Sequence, residues 1–209
     1  MKTVASITLE ESSKLYKTID ERRDVIHIAA VDQFKKIAEL RQRFRPALIK
    51  ILFVAESPPE SKKNEDLKFF YNPAQTRNDN LFHSIMKVVF PDYEIGCHTK
   101  GEWLERFKGE GFFLIDATEI PLNRKTNAER NSIIKLERQE KVKEIKQLIS
   151  QGTKVILIKK NIFHLLANEL STAGVQLLNR AFLPFPSHGH ERRFVKECRA
   201  LILVEQTDV

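Results

Sequence analysis

The sequence predicts an α/β fold, a three-layer α/β/α sandwich with a central, mostly parallel four-stranded sheet. Three observations carry this reading. The runs KILFVA, GFFLID and KVILIK are apolar, short and rich in Val, Ile and Phe, as strands buried on both faces are. Between them lie longer segments with apolar residues at helical spacing, each opened by a capping signal. Strands that alternate with helices imply a parallel sheet with right-handed crossovers.

In chain order, Thr8 with Glu11 spells a capping box, and Ala30, Phe34, Ile37 and Phe44 recur at helical spacing until Pro46, with a break among the charges of 21–24. Residues 1–46 are therefore expected to form a helical extension packed on one domain that takes in the whole chain, 1–209. The first strand is expected over 49–55. Residues 57–78 follow as a long polar connection with embedded aromatics, a length usually tied to function or disorder. Asp79 then caps NLFHSIMKVVF, which Pro91 stops. Thr99 and Glu102 box a short helix around Trp103. The second strand, 112–116, leaves through Asp116. Thr126 and Glu129 open a long helix with Ile133, Ile134, Val142, Ile145 and Ile149 along one face, and its run KLERQEKVKEIKQ is the solvated side. After Gly152 come the strand KVILIKK, the helix NIFHLLANEL, a short fourth strand in RAFLPFPS and a last helix through RRFVKECRALI.

Composition narrows the function classes. The 209 residues are 42% hydrophobic, and no run approaches the roughly 20 apolar residues of a membrane span. The first residues, MKTVASITLEESSKLYK, lack the apolar core of a signal peptide, so an intracellular, cytoplasmic protein is expected. The two cysteines, Cys97 and Cys198, are too few and too far apart for a disulfide framework or a four-cysteine iron–sulfur cluster. The formal charge of +7 favours polyanionic partners through its long-range field.

In open parallel sheets the ligand crevice lies beyond the carboxyl ends of the strands. Glu56, Asp116 and the loop Pro186-Ser187-His188-Gly189-His190 all follow strand ends and are expected to share one rim. Each has a plainer reading as well. Asp116 can serve as a helix N-cap, and Glu56 can accept from the loop backbone.

The motifs VAESPP, FFYNPAQTRNDNLFHSIMKVVF, FLIDATEIPLNR, KVILIKKNIFHLLANEL and LPFPSHGHERRF, in this order from Ile51 to Ile202, resemble the uracil-DNA glycosylase superfamily. That resemblance implies hydrolysis of the N-glycosidic bond of uracil, or of another damaged or deaminated base, in single- or double-stranded DNA. It implies neither a metal nor a cofactor, and a monomer is expected. Three positions depart from the family's pattern. Ala55 stands where a glycine is usual, Asp116 where an Asn reads uracil, and Phe185 where several branches place a His.

Such chemistry passes through an oxocarbenium-like sugar and an anionic base. Glu56 is the candidate to orient water and offset the positive charge. His188 or His190 is the candidate donor to the departing base. Tyr71 or Phe70 offers a stacking face, although core packing is the alternative for Phe70. Asp116 occupies the base-reading position, where an ionised carboxylate offers only acceptors and mismatches uracil's O4. Ser187, Arg192, Arg193 and Arg124 are candidate phosphate contacts, and a generic basic helix face is the alternative for the arginines. A non-catalytic nucleic-acid or nucleotide binding module of the same fold is the second reading, and a small-nucleotide hydrolase the third.

Overall fold

The computed structural model describes residues 33–60, 67–75, 79–187 and 189–207, with side chains up to 203. By its contacts the chain divides into two compact units, Met1–Glu39 and Leu40–Val209. Residues 33–39 of the first unit are helical, and the second unit opens with helical residues 40–43 (α1). The capping box expected at Thr8 and the break at 21–24 lie outside the described residues.

The second unit is α/β. Its elements are β1 (Ile51–Ala55), α2 (Asn80–Val89), α3 (Lys100–Gly109), β2 (Phe112–Asp116), α4 (Asn127–Leu148), β3 (Lys154–Leu157), α5 (Lys160–Thr172) and α6 (Glu191–Thr207). The three strands form one parallel sheet in the order β2-β1-β3, with Ile51 opposite both Phe112 and Lys154. This arrangement is compatible with a three-layer fold. All five residues of β1 are buried, as its uninterrupted apolar sequence requires of a central strand.

The expected helix starts rest on the expected chemistry. Asp79 accepts from the Phe82 N–H, and both Thr99/Glu102 and Thr126/Glu129 close reciprocal capping boxes. In α4 the buried residues are Ile134, Lys141, Val142 and Ile145, so the charged run does face outward for most of its length.

A fourth strand is not found among the described residues, and the reason is visible at the outer edge of β3. There Val155 N–H donates to Gln176 O, and Leu178 N–H to Val155 O. One step further the partner is a side chain: Asn179 Oδ1 accepts from Leu157 N–H at 3.0 Å, and its Nδ2 donates back to Leu157 O at 3.0 Å. The ladder then touches once more, where Lys159 N–H donates to Leu183 O, before Pro184 and Pro186 end it. Proline brings no N–H to a ladder. RAFLPFPS is thus an irregular edge cover.

The opposite edge is closed in the same manner. Tyr71 Oη accepts from Leu114 N–H at 2.6 Å and donates to Leu114 O at 3.1 Å, satisfying the outward groups of β2. Its ring stacks on Phe44 and meets Phe69 and Phe70 edge-on, within an aromatic cluster that extends to Phe82, Phe107 and Phe53.

Candidate functional site

Beyond the carboxyl end of β1 opens a cavity of about 460 Å³. Its wall is assembled from Ala55, Glu56, Ser57 and Pro59 after β1, Lys68 and Phe70 from the connection, and Asp79, Asn80 and Leu81 at the start of α2. Asn123 and Arg130 come from the β2–α4 side, Lys159 from the start of α5, and Phe185 and Ser187 from the last loop. Segments far apart in sequence therefore meet where a parallel sheet places its ligand crevice.

Glu56 is part of this wall and is only 7% exposed. Its Oε2 pairs with Arg130 Nη1 at 2.9 Å and Lys159 Nζ at 2.5 Å, while Oε1 accepts from Asn161 Nδ2 at 2.8 Å. An ionised carboxylate has about four lone-pair sites, and donors among the described residues take three of them. Arg130 is itself fixed by the carbonyls of Asn123 and Lys125, and this ties the loop after β2 to the acid.

Lys159 reaches Glu56 from an unusual backbone. Its φ is 85° and ψ 142°, and it is the one non-glycine residue of positive φ among those described. This region suits glycine, and other residues hold it only where their surroundings enforce it. Asp79, a second acid among the described residues of the basin, is already committed. Its Oδ1 caps α2 at 3.0 Å, and its Oδ2 pairs at 2.7 Å with Lys100, an ammonium that also donates to Phe69 O.

The expected site residues divide. Glu56, Phe70 and Ser187 line the basin together. Asp116 does not. Ala55 and Asp116 face each other in register, so Glu56, one residue on, turns its side chain away from that of Asp116. The Asp116 carboxylate is 3% exposed and receives Arg41 Nη2 at 3.0 Å, and Arg41 also binds Glu119 at 2.7 Å. Burial pushes the Asp116 carboxyl up to about 6, against the opposing pull of Arg41.

Tyr71 is fully buried at the β2 edge and offers no face to the basin. Burial pushes its phenol far above the usual range. His190 is exposed, starts α6 through its carbonyl and is not part of the basin wall. His188 lies outside the described residues. Arg124 pairs with Glu60 at 2.9 Å and Arg193 with Glu197 at 2.7 Å, both on the surface, whereas Arg192 lines a separate groove.

The residues that surround Glu56 were missed in the sequence. Arg130, Lys159 and Asn161 lie 74, 103 and 105 positions away from it. The one local trace is the pair Lys159-Lys160 directly after an apolar strand, which reads equally well as a solvated strand end. Among the described residues no cluster of His, Cys, Asp and Glu is suited to hold a metal ion, and no helix is long and apolar enough to cross a membrane. Cys97 is exposed and Cys198 buried, both free. No protein-family model, curated protein or solved structure matches the chain.

Proposed function

We propose that the basin takes an unstacked base of DNA and that Glu56 takes part in hydrolysing its N-glycosidic bond, as the likeness to uracil-DNA glycosylases implies. The observation that carries this reading is the position of Glu56. It is nearly buried, at the carboxyl end of the central strand, and it lines a cavity of about 460 Å³. That volume suits a base with its sugar. Phe70 and Phe185 give the cavity its apolar walls, and an extruded base is read between such faces. Lys68, Arg130, Lys159 and Ser187 supply the groups that a phosphate or a departing anionic base needs.

In the reaction the C1′–N bond breaks and its electron pair leaves with the base. Water adds to C1′ while Glu56 orients it and offsets the positive charge on the sugar, and the proton that the water releases ends on the departed base. Asn123 is the amide suited to read the base. Its Oδ1 is occupied by the Glu60 N–H at 2.8 Å, which leaves Nδ2 to donate.

The ion pairs favour a second reading. A carboxylate already held by Arg130, Lys159 and Asn161 also suits a module that binds nucleic acid or a nucleotide without cutting it. Labelled single- and double-stranded oligonucleotides containing uracil, hypoxanthine, xanthine or a mismatch separate the two. Alkali-labile strand breaks support the enzyme. Tight binding without breaks supports the module, and breakdown of free nucleosides alone contradicts both.

A further inference from the structure

A second cavity, of about 620 Å³, lies between α2 and α6 and meets the Glu56 basin at Asn80, which lines both. Among the described residues its walls carry four cations, Lys87 from α2 and Arg192, Lys196 and Arg199 from α6, against one acid, Glu191. Arg192, Lys196, Arg199 and Leu203 recur at spacings of four, three and four residues, so they share one face of α6. From Arg192 to Arg199 this row covers about 10 Å of helix axis.

Lys87, Arg192 and Lys196 are exposed, and none is in an ion pair among the described residues. Arg199 donates from Nη2 to Lys87 O, while its buried Nε has no hydrogen-bond partner among the described residues. The groove is also apolar in part, with Ile95 68% and Leu203 53% exposed at its margin. Cations along a concave surface focus a positive field, and the exposed aliphatic groups at the margin add apolar surface beside it.

An acidic amphipathic peptide would meet the same charges. The shared wall at Asn80 favours a strand, because a polymer with one base in the basin has its next residues at the mouth of this groove. We infer that the α2–α6 groove carries the single-stranded nucleic acid flanking the base in the basin, with Lys87, Arg192 and Lys196 on successive phosphates. This inference rests on the reading that the basin takes a nucleobase.

The test compares wild type with the triple variant Lys87→Ala, Arg192→Ala, Lys196→Ala by fluorescence anisotropy. One probe is a uracil-containing single strand of about 15 nucleotides, and the other is a trinucleotide that places one base in the basin and reaches no further than the mouth of the groove. The variant is expected to lose about 10- to 100-fold in affinity for the long strand at low salt. Its plot of log affinity against log salt becomes shallower by about 2, the loss of three contacts at about 0.7 each. Trinucleotide binding and the thermal midpoint stay as in wild type, and Lys196→Glu alone weakens only the long strand.

Unchanged long-strand affinity and slope in the triple variant, with the trinucleotide still bound, overturns the groove and leaves the basin reading standing. So does an acidic helical peptide that saturates the groove without displacing the strand. A wild type that binds neither probe overturns both.

Discussion

Lys159 Nζ stands 2.5 Å from Glu56 Oε2, and the backbone that delivers it has φ 85° and ψ 142°. An amino acid with a side chain pays about 1–3 kcal/mol to hold such a conformation. The site therefore spends backbone strain to place one ammonium on one acid. Lys159→Ala removes the ion pair and keeps the strain, whereas Lys159→Gly removes both. The glycine variant is expected to be more stable than the alanine variant by about 1 kcal/mol in urea titrations. Equal stabilities would mean that the positive φ costs nothing.

The buried acid that does not line the basin gives a pH signature. The Asp116 carboxyl is raised from 3.8 to about 6 by burial, with Arg41 and Lys141 opposing and Glu119 reinforcing the shift. Between pH 4 and pH 6 the folded protein then holds a proton that the unfolded chain has released. Stability from this group is present below the unfolded value and is lost as pH rises through about 6. Relative to Asp116→Asn, wild type should lose up to about 2–3 kcal/mol over that window and change little above it. A wild type that gains on the variant as pH rises would show that the Arg41 ion pair outweighs burial.

The two edge-closing side chains make a third test. Tyr71→Phe removes the hydroxyl that serves both Leu114 N–H and Leu114 O. Asn179→Ala removes the amide that serves Leu157 N–H and Leu157 O. Each leaves buried backbone groups unpaired, a loss of about 1–3 kcal/mol. Both variants should shift the urea midpoint downward, and base excision at low temperature should persist in Tyr71→Phe because the hydroxyl removed lies at the β2 edge and not in the basin wall. Selective loss of excision in Tyr71→Phe, with stability unchanged, would put that hydroxyl in the chemistry.

These edges also show what was legible in the sequence. The strands β1, β2 and β3 and the boxes Thr99/Glu102 and Thr126/Glu129 depend on local patterns, and each stands within a few residues of its expected place. The fourth strand was expected because RAFLPFPS is apolar; two prolines and the amide of Asn179 replace it. Tyr71 was expected in the basin as a stacking face, on the likeness to the glycosylases. Its hydroxyl instead completes an edge 43 residues away. Glu56 was legible as an acid at a strand exit, and its cationic partners were not, since a single sequence carries no sign of which distant Lys or Arg turns toward which acid. Asp116 illustrates the same limit from the other side. Strand alternation decides which face it takes, and Arg41 decides its partner.

The central claim is that Glu56 acts on a base held in the basin, and Glu56→Gln under single-turnover conditions tests it most directly. Gln keeps the shape, loses the negative charge and leaves Arg130 and Lys159 without their shared counterion. On a uracil-containing single strand, or on whichever base wild type removes, excision should fall by at least about 100-fold. Affinity for the same strand should hold or rise, with a steeper salt dependence. Excision by Glu56→Gln at the wild-type rate would contradict the account, whatever the basin binds.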